Sequence, residues 1–317
     1  MKIYPKVSVC MITYGHEKFI EEAINGILMQ EADFDIELII SNDASPDRTD
    51  EIIKMIIQNH PRGNWIRYIN HKNNIGMTLN FHFVLEACEG KYIALCDGDD
   101  YWTDPLKIQK QVDFLETNEQ ASGCFHHASF VDEKGEIINE IYNSHVSNLV
   151  CYNQKECLTI LGSSYATCSL LFRSKAISNL PKVLISELCD ELLDIVITEN
   201  GSLYFLNFNG ANYRFHSGGV WSGRQEAKFS LTMYKRMHAL YKVPSYKKKY
   251  SSYLKSKTFL LVQGFIFSNY ITTKTRLLYF FKTLKFLNYY NKETYLFFMD
   301  FIISITKIKK RFKKQHV

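Results

Sequence analysis

The feature that most constrains this chain is the alternation of apolar runs in its first hundred residues. Val7-Ser8-Val9-Cys10-Met11-Ile12 reads as a strand, and a helical pattern from Glu17 to Met29 follows, with Phe19, Ile20, Ala23, Ile24, Ile27 and Leu28 on one face. Ile36–Ile40 is a second strand. A helix carrying Ile52, Ile53, Ile56 and Ile57 comes next and stops before Pro61. Trp65–Ile69, a helix over Thr78–Cys88 and the buried run Tyr92–Cys96 complete a βαβαβαβ order. That order predicts an α/β fold: an open, mostly parallel, Rossmann-like central sheet with helices on both faces. Such sheets bind ligands at the carboxyl ends of their strands. Thr13, Tyr14, Asp43, Asn74, Asp97 and Asp99 all follow strand ends, so they are expected to meet on one rim.

Asp97-Gly98-Asp99-Asp100 puts three carboxylates within four residues at the end of a buried strand. Like charges at a core edge are costly unless a cation sits among them, and oxygen ligands suit Mg²⁺ or Mn²⁺. The alternative is an acidic turn. Gly98 is expected to supply backbone freedom there. No GxGxxG follows the first strand and no GxxxxGK[ST] occurs anywhere, which argues against a dinucleotide dehydrogenase and a P-loop NTPase. A nucleotide can still bind by another route: Asp43 as acceptor for a base, Tyr14 as a stacking ring, and a metal at Asp97–Asp100 against a pyrophosphate.

Further on, an amphipathic helix is expected over Asp104–Asn118 with Pro105 in its first turn, and a strand over Gly123–Phe130. His126 and His127 are adjacent on that strand and so point to opposite faces, a poor arrangement for one ion. Residues 139–156 read as a long polar loop, either a lid or a surface excursion. Thr167–Arg173 reads as a strand, and a helix begins near Ser186 with Asp190 and Glu191 in its first turns, where the helix dipole favours acids. Two short strands, Ser202–Leu206 and Asn212–His216, precede a Gly-rich loop at 217–223 that contains Trp221.

The net charge of +5 is uneven. Lys307, Lys309, Lys310, Arg311, Lys313 and Lys314 follow the last acid, Asp300; without them the sum is −1. The basicity therefore reads as a property of the tail, with no reason to expect a nucleic-acid partner. The eight cysteines include no CxxC pair, and most sit in apolar runs; with no signal-peptide core at the start, a reducing, cytoplasmic setting is expected. Past Glu226, three aromatic-rich segments (259–267, 277–281 and 296–305) are each interrupted well short of a membrane span. They read either as a helical extension packed on the first domain or as faces that dock, with the basic tail, on an anionic inner-membrane surface. The expected division is 1–224 for the catalytic domain and 225–317 for the helical extension.

Several segments, in order, resemble family 2 glycosyltransferases of the GT-A fold: Val9–Tyr14, the run Ile-Ile-Ser-Asn-Asp-Ala-Ser-Pro-Asp-Arg-Thr at 39–49, Asn74-Ile75-Gly76 with Asn80, Asp97–Trp102 as the DxD region, Asp190, and Tyr213–Ser222. The resemblance spans roughly residues 5–224. It implies an inverting, metal-dependent transfer from a nucleotide-sugar, UDP-linked, to a hydroxyl of a glycan or lipid-linked glycan, in the making of a surface polysaccharide such as capsule or lipopolysaccharide. On this resemblance Thr13, Tyr14, Asp43, Asn74, Asp97 and Arg214 are donor-binding, and Asp99 and His216 hold Mn²⁺ or Mg²⁺. Asp190 is the base, with Glu191 as the other candidate. Trp102 and Trp221 are acceptor-side, either as sugar platforms or as rim packing. A nucleotidyltransferase would share the sheet and carboxylates but carry a Gly-rich basic loop where this chain has Thr13-Tyr14-Gly15-His16-Glu17. A non-catalytic membrane-associated scaffold of the same fold is the third reading.

Overall fold

The computed structural model describes residues 5–139, 151–160, 165–219, 226–266 and 272–284. The chain divides into two compact units, 1–217 and 218–317. The expected alternation is present: β1 (Val7–Thr13), α1 (Ile20–Leu28), β2 (Ile36–Asn42), α2 (Thr49–Asn59), β3 (Ile66–Asn70), α3 (Met77–Ala87) and β4 (Tyr92–Leu95). Next come β5 (Tyr101–Trp102), α4 (Lys107–Thr117), β6 (Ala121–Val131), β7 (Ile137–Asn139), β8 (Cys151–Tyr152), α5 (Gln154–Ile160), β9 (Leu171–Arg173), α6 (Asp190–Ile197) and β10 (Ser202–Arg214). The sheet order is β3-β2-β1-β4-β9-β6-β10-β5, with β7 beside β6 and β8 beside β10. The strands β3, β2, β1 and β4 are mutually parallel. β9 then runs antiparallel between β4 and β6, and β6 is parallel to β10.

The strands sort their side chains by the two-residue period of the pleat. Val7, Val9 and Met11 of β1, Leu38 and Ile40 of β2, and Tyr92 and Ala94 of β4 enter one core, which α1, α2 and α4 cover through residues such as Ile24, Ile53 and Val112. Cys10, Ile39, Ile93 and Leu95 face the other way and meet Phe81, Val84 and Leu85 of α3 and Leu193 and Ile197 of α6. Both faces of the parallel half are therefore buried, as near-continuous apolar strands require.

Several local expectations shift. Pro105 precedes α4 rather than opening it, because the helix starts at Lys107. Thr167–Ser169 forms a 3₁₀ turn, which leaves a strand of only three residues, 171–173. The two strands expected at 202–206 and 212–216 are one, Ser202–Arg214, whose register against β6 shifts at Leu206/Asn209 and Asn209/Ala211. These bulges absorb the polar, Gly-containing interruption that looked like a strand break.

The second unit holds α7 (Glu226–Lys242), α8 (Pro244–Ile266) and α9 (Thr273–Leu284). Among the described residues no helix is long and apolar enough to cross a membrane.

Candidate active site

The site is built from the carboxyl ends of β1, β2 and β4. Beyond the end of β4 the chain stays zipped to β1, with Cys96 N–H donating to Cys10 O at 3.1 Å and Gly98 N–H to Ile12 O at 3.0 Å. This lays Gly98 against Thr13: a Cβ there would sit 2.7 Å from Thr13 Oγ1 and 3.0 Å from His16 Nδ1. Close approach, not an unusual backbone conformation, is what demands glycine at 98. The next turn closes with Asp100 N–H donating to Asp97 O at 3.2 Å.

Asp99, His16 and His216 converge. His216 Nε2 lies 3.1 Å and His16 Nε2 3.7 Å from Asp99 Oδ2, and one ligand atom from each residue falls within 4.8 Å of the others. Thr13 Oγ1 lies 3.2 Å from His16 Nδ1, which directs the other ring nitrogen toward Asp99. Burial holds His16 below the ordinary imidazole range despite the nearby Asp99. Burial works to raise Asp99, but the His216 hydrogen bond and the His16 charge prevail and its carboxyl titrates below the usual range. One carboxylate and two imidazoles form a donor set that fits a divalent transition ion better than Mg²⁺, which prefers oxygen and water. His16 carried no role in the sequence reading. Its only signal was a histidine three residues past the end of β1, and nothing local shows that the turn folds it back onto a residue 83 positions later.

The other carboxylates of the DxDD stretch divide the work. Asp97 is held well above the usual carboxylate range, first by burial and then by the charges of Asp99 and Asp190. Asp100 is buried, and its Oδ1 accepts from Arg214 N–H at 2.9 Å, so it is a brace. Arg214 is a brace too. Its guanidinium donates to Asp99 O at 3.0 Å and Asp132 O at 3.0 Å, pairs with Glu22 and lies between the rings of Phe19 and Tyr101. Arg214, expected on the donor side, is a buried tie that anchors the backbone of Asp99.

Asp190 opens α6. It is partly exposed, and its carboxylate accepts from Thr167 Oγ1 at 3.1 Å and from Glu191 N–H at 3.0 Å. Glu191 is 5% exposed and accepts the Cys189 thiol at 2.8 Å. The accessible acid of the pair is Asp190.

On the other side, Asp43 is buried at the end of β2, and its carboxylate accepts from Ile75 N–H at 2.7 Å and Gly76 N–H at 2.9 Å. Ala44 follows with φ 57°, a left-handed conformation rare for a side chain with a Cβ, so the β2 turn carries strain where it meets the site. Asn74 Oδ1 accepts from Gly76 N–H at 3.0 Å, and Gly76 itself has φ 89°. Thr13 is buried, while the Tyr14 ring is 49% exposed and open to stacking.

Trp102 requires a correction. It is 1% exposed, donates from Nε1 to Cys168 O at 2.8 Å, and has the Lys107 ammonium 3.9 Å from its ring centroid. An acceptor sugar cannot reach a ring sealed in this way; the period-2 pleat of β5 turns it inward. Trp221 and residues 140–150 of the expected lid lie outside the described residues. His126 donates from Nδ1 to its neighbour's carbonyl at 2.7 Å and lies beside Phe208, while His127 meets Phe205, so the two rings do separate.

The carboxyl ends of the parallel strands carry a histidine–carboxylate cluster, and Asp190 is a further, partly exposed acid at the start of α6. Residues 8–180 match the sequence model of "Glycosyl transferase family 2", and the chain belongs to that family. It is 33% identical over 217 residues to an uncharacterized protein of Mycobacterium tuberculosis, a match covering 68% of this chain and 60% of that one. An uncharacterized glycosyltransferase of Methanocaldococcus jannaschii is 33% identical over 138 residues, 43% of this chain and 46% of the other. The fold resembles S. aureus TarS 1–349 in complex with UDP-GlcNAc (TM-score 0.58, 16% identity, 81% of this chain and 71% of that one). It also resembles the mannosyltransferase PcManGT from Pyrobaculum calidifontis in complex with GDP-Man and Mn²⁺ (TM-score 0.53, 13% identity, 96% and 86%).

Proposed function

We propose that the chain transfers a sugar from a UDP-sugar to a hydroxyl of a glycan or lipid-linked glycan, with inversion, in the synthesis of a surface polysaccharide. The observation that supports the transfer chemistry is the convergence of Asp99, His16 and His216, with Asp190, whose charge bears on Asp97, as a second, partly exposed acid. Inversion needs a base on the acceptor side and charge stabilisation on the leaving-group side. Asp190 is the base: Thr167 and its own helix N-terminus fix the carboxylate, and a hydroxyl placed against it loses its proton as it attacks. Asp99, His16 and His216 would hold the divalent ion, which as a Lewis acid offsets charge on a departing diphosphate. Tyr14 stacks on the base, and the loop that Asp43 clips borders the nucleotide. Nucleotide-sugars in complex with TarS and PcManGT support a donor of this class, and the two differ in base, so uridine rests on the sequence resemblance. A nucleotidyltransferase is disfavoured because the first turn contributes a histidine to the acidic corner instead of a phosphate-cradling loop.

The test is Asp190→Asn, assayed for transfer and for donor binding. Transfer falls by ~10² or more while donor affinity is unchanged, because only proton abstraction is lost. Transfer at the wild-type rate would overturn the assignment.

A further inference from the structure

The charge of this molecule is segregated by unit, far beyond its basic tail. Residues 218–317 hold 21 lysines and arginines against three carboxylates, whereas 1–217 hold 17 against 30; the +5 of the whole is +18 on one unit and −13 on the other. The described helices share in it: α7, α8 and α9 carry twelve lysines and arginines and a single acid, Glu226. Lys235, Lys242, Lys247, Lys248 and Lys249 are exposed. A packed helical unit gains nothing internally from such a one-sided charge, since its own lysines repel one another.

The α9 surface says what kind of anion fits. Lys274, Leu278 and Phe281 are all exposed, Leu278 at 49% and Phe281 at 62%, and their spacing of four and three residues places them on one stripe of the helix. A stripe that mixes basic and large apolar side chains suits an interface with headgroup phosphates above and acyl chains below. A nucleic-acid backbone would use the lysines but leave Leu278 and Phe281 against water and phosphate. We infer that helices α7–α9 form a membrane-docking module for an anionic lipid leaflet, with α9 as the inserting element and the Lys247–Lys249 run as its electrostatic anchor. This inference does not depend on the transfer reaction.

Flotation of the full chain with phosphatidylcholine vesicles, with and without phosphatidylglycerol, tests it. Partition onto the anionic vesicles, absent on the neutral ones and falling steeply with salt, is expected. Lys247→Glu/Lys248→Glu/Lys249→Glu lowers the partition coefficient by at least ~10²-fold, since each basic residue contributes about 1 kcal/mol near such a surface. Leu278→Gln/Phe281→Gln weakens binding but keeps the salt dependence. Circular dichroism and donor turnover in vesicle-free solution, both unchanged, verify that the variants fold. Equal partition onto neutral and anionic vesicles overturns the inference. So does wild-type binding by the triple variant with loss only on deletion of 307–317. Tighter binding to duplex DNA than to vesicles, indifferent to Leu278 and Phe281, would identify a nucleic-acid surface instead.

Discussion

At the scale of single residues, the acidic turn shows how neighbours assign different work to identical side chains. Asp97, Asp99 and Asp100 lie within four positions, yet burial and neighbouring charge raise Asp97, two histidines lower Asp99, and a backbone amide ties down Asp100. The prediction at this scale concerns the ion. Asp99→Ala abolishes metal-dependent turnover and Mn²⁺ binding. His16→Ala weakens Mn²⁺ measurably in titration calorimetry. Thr13→Val, which removes only the group that orients His16, costs about 10-fold in affinity, typical of an outer-shell partner. Mn²⁺ affinity untouched by His16→Ala would remove that residue from the site. Asp99 and His216 were legible in the sequence because their segments match a pattern. His16 was not, because its place depends on how the turn after β1 folds against Gly98.

At the scale of elements, the acidic loop rests on α4 through a buried cation. Lys107 is fully buried; its ammonium donates to Gln111 Oε1 at 2.8 Å, and the Gln111 amide donates to Ser169 O at 2.9 Å and Cys124 O at 3.2 Å. One helix thereby ties Trp102, at the end of the loop, to the turn whose Thr167 holds Asp190. Burial pulls Lys107 down to about 8. The sign follows from linkage. Below pH 8 both folded and unfolded chains hold the proton, and burying the charge costs about 3 kcal/mol. Between about pH 8 and 10.4 the folded chain releases it while the unfolded chain keeps it, so stability rises with pH. Denaturant unfolding of wild type against Lys107→Met should show this rise in the wild type alone; parallel pH curves would contradict it. The alternation of helices and strands was readable because each apolar run is long. The bulged β10 was not, because its bonds to β6 outweigh a polar interruption that reads locally as a break.

At the scale of the whole molecule, ligand binding to the folded state must appear as stability. A nucleotide-sugar that fits the pocket, at 100 times its Kd with Mn²⁺ present, adds about 2.7 kcal/mol and raises the melting temperature by several degrees. A panel of UDP- and GDP-sugars screened by thermal shift should single out one base, and Asp190→Asn should show the same shift as wild type. No shift with any UDP-sugar beside a clear one with a GDP-sugar would replace uridine in the proposal. The division of charge between the two units belongs to this scale too: reading the basicity as a property of the tail missed it, because a sum over the whole chain lets +18 and −13 nearly cancel.

The sequence by itself determined the βαβαβαβ order, the strand ends that form one rim and the acids placed there as candidates, Asp97, Asp99 and Asp190, since periodicity and motif spacing are local properties that short stretches carry whole. Only the tertiary structure decided which of those groups remain available to a ligand. It buried Trp102 and Glu191, committed Arg214 to carbonyls and Glu22, and brought His16 to Asp99. Burial and partner choice depend on residues dozens of positions away, and no local pattern encodes them.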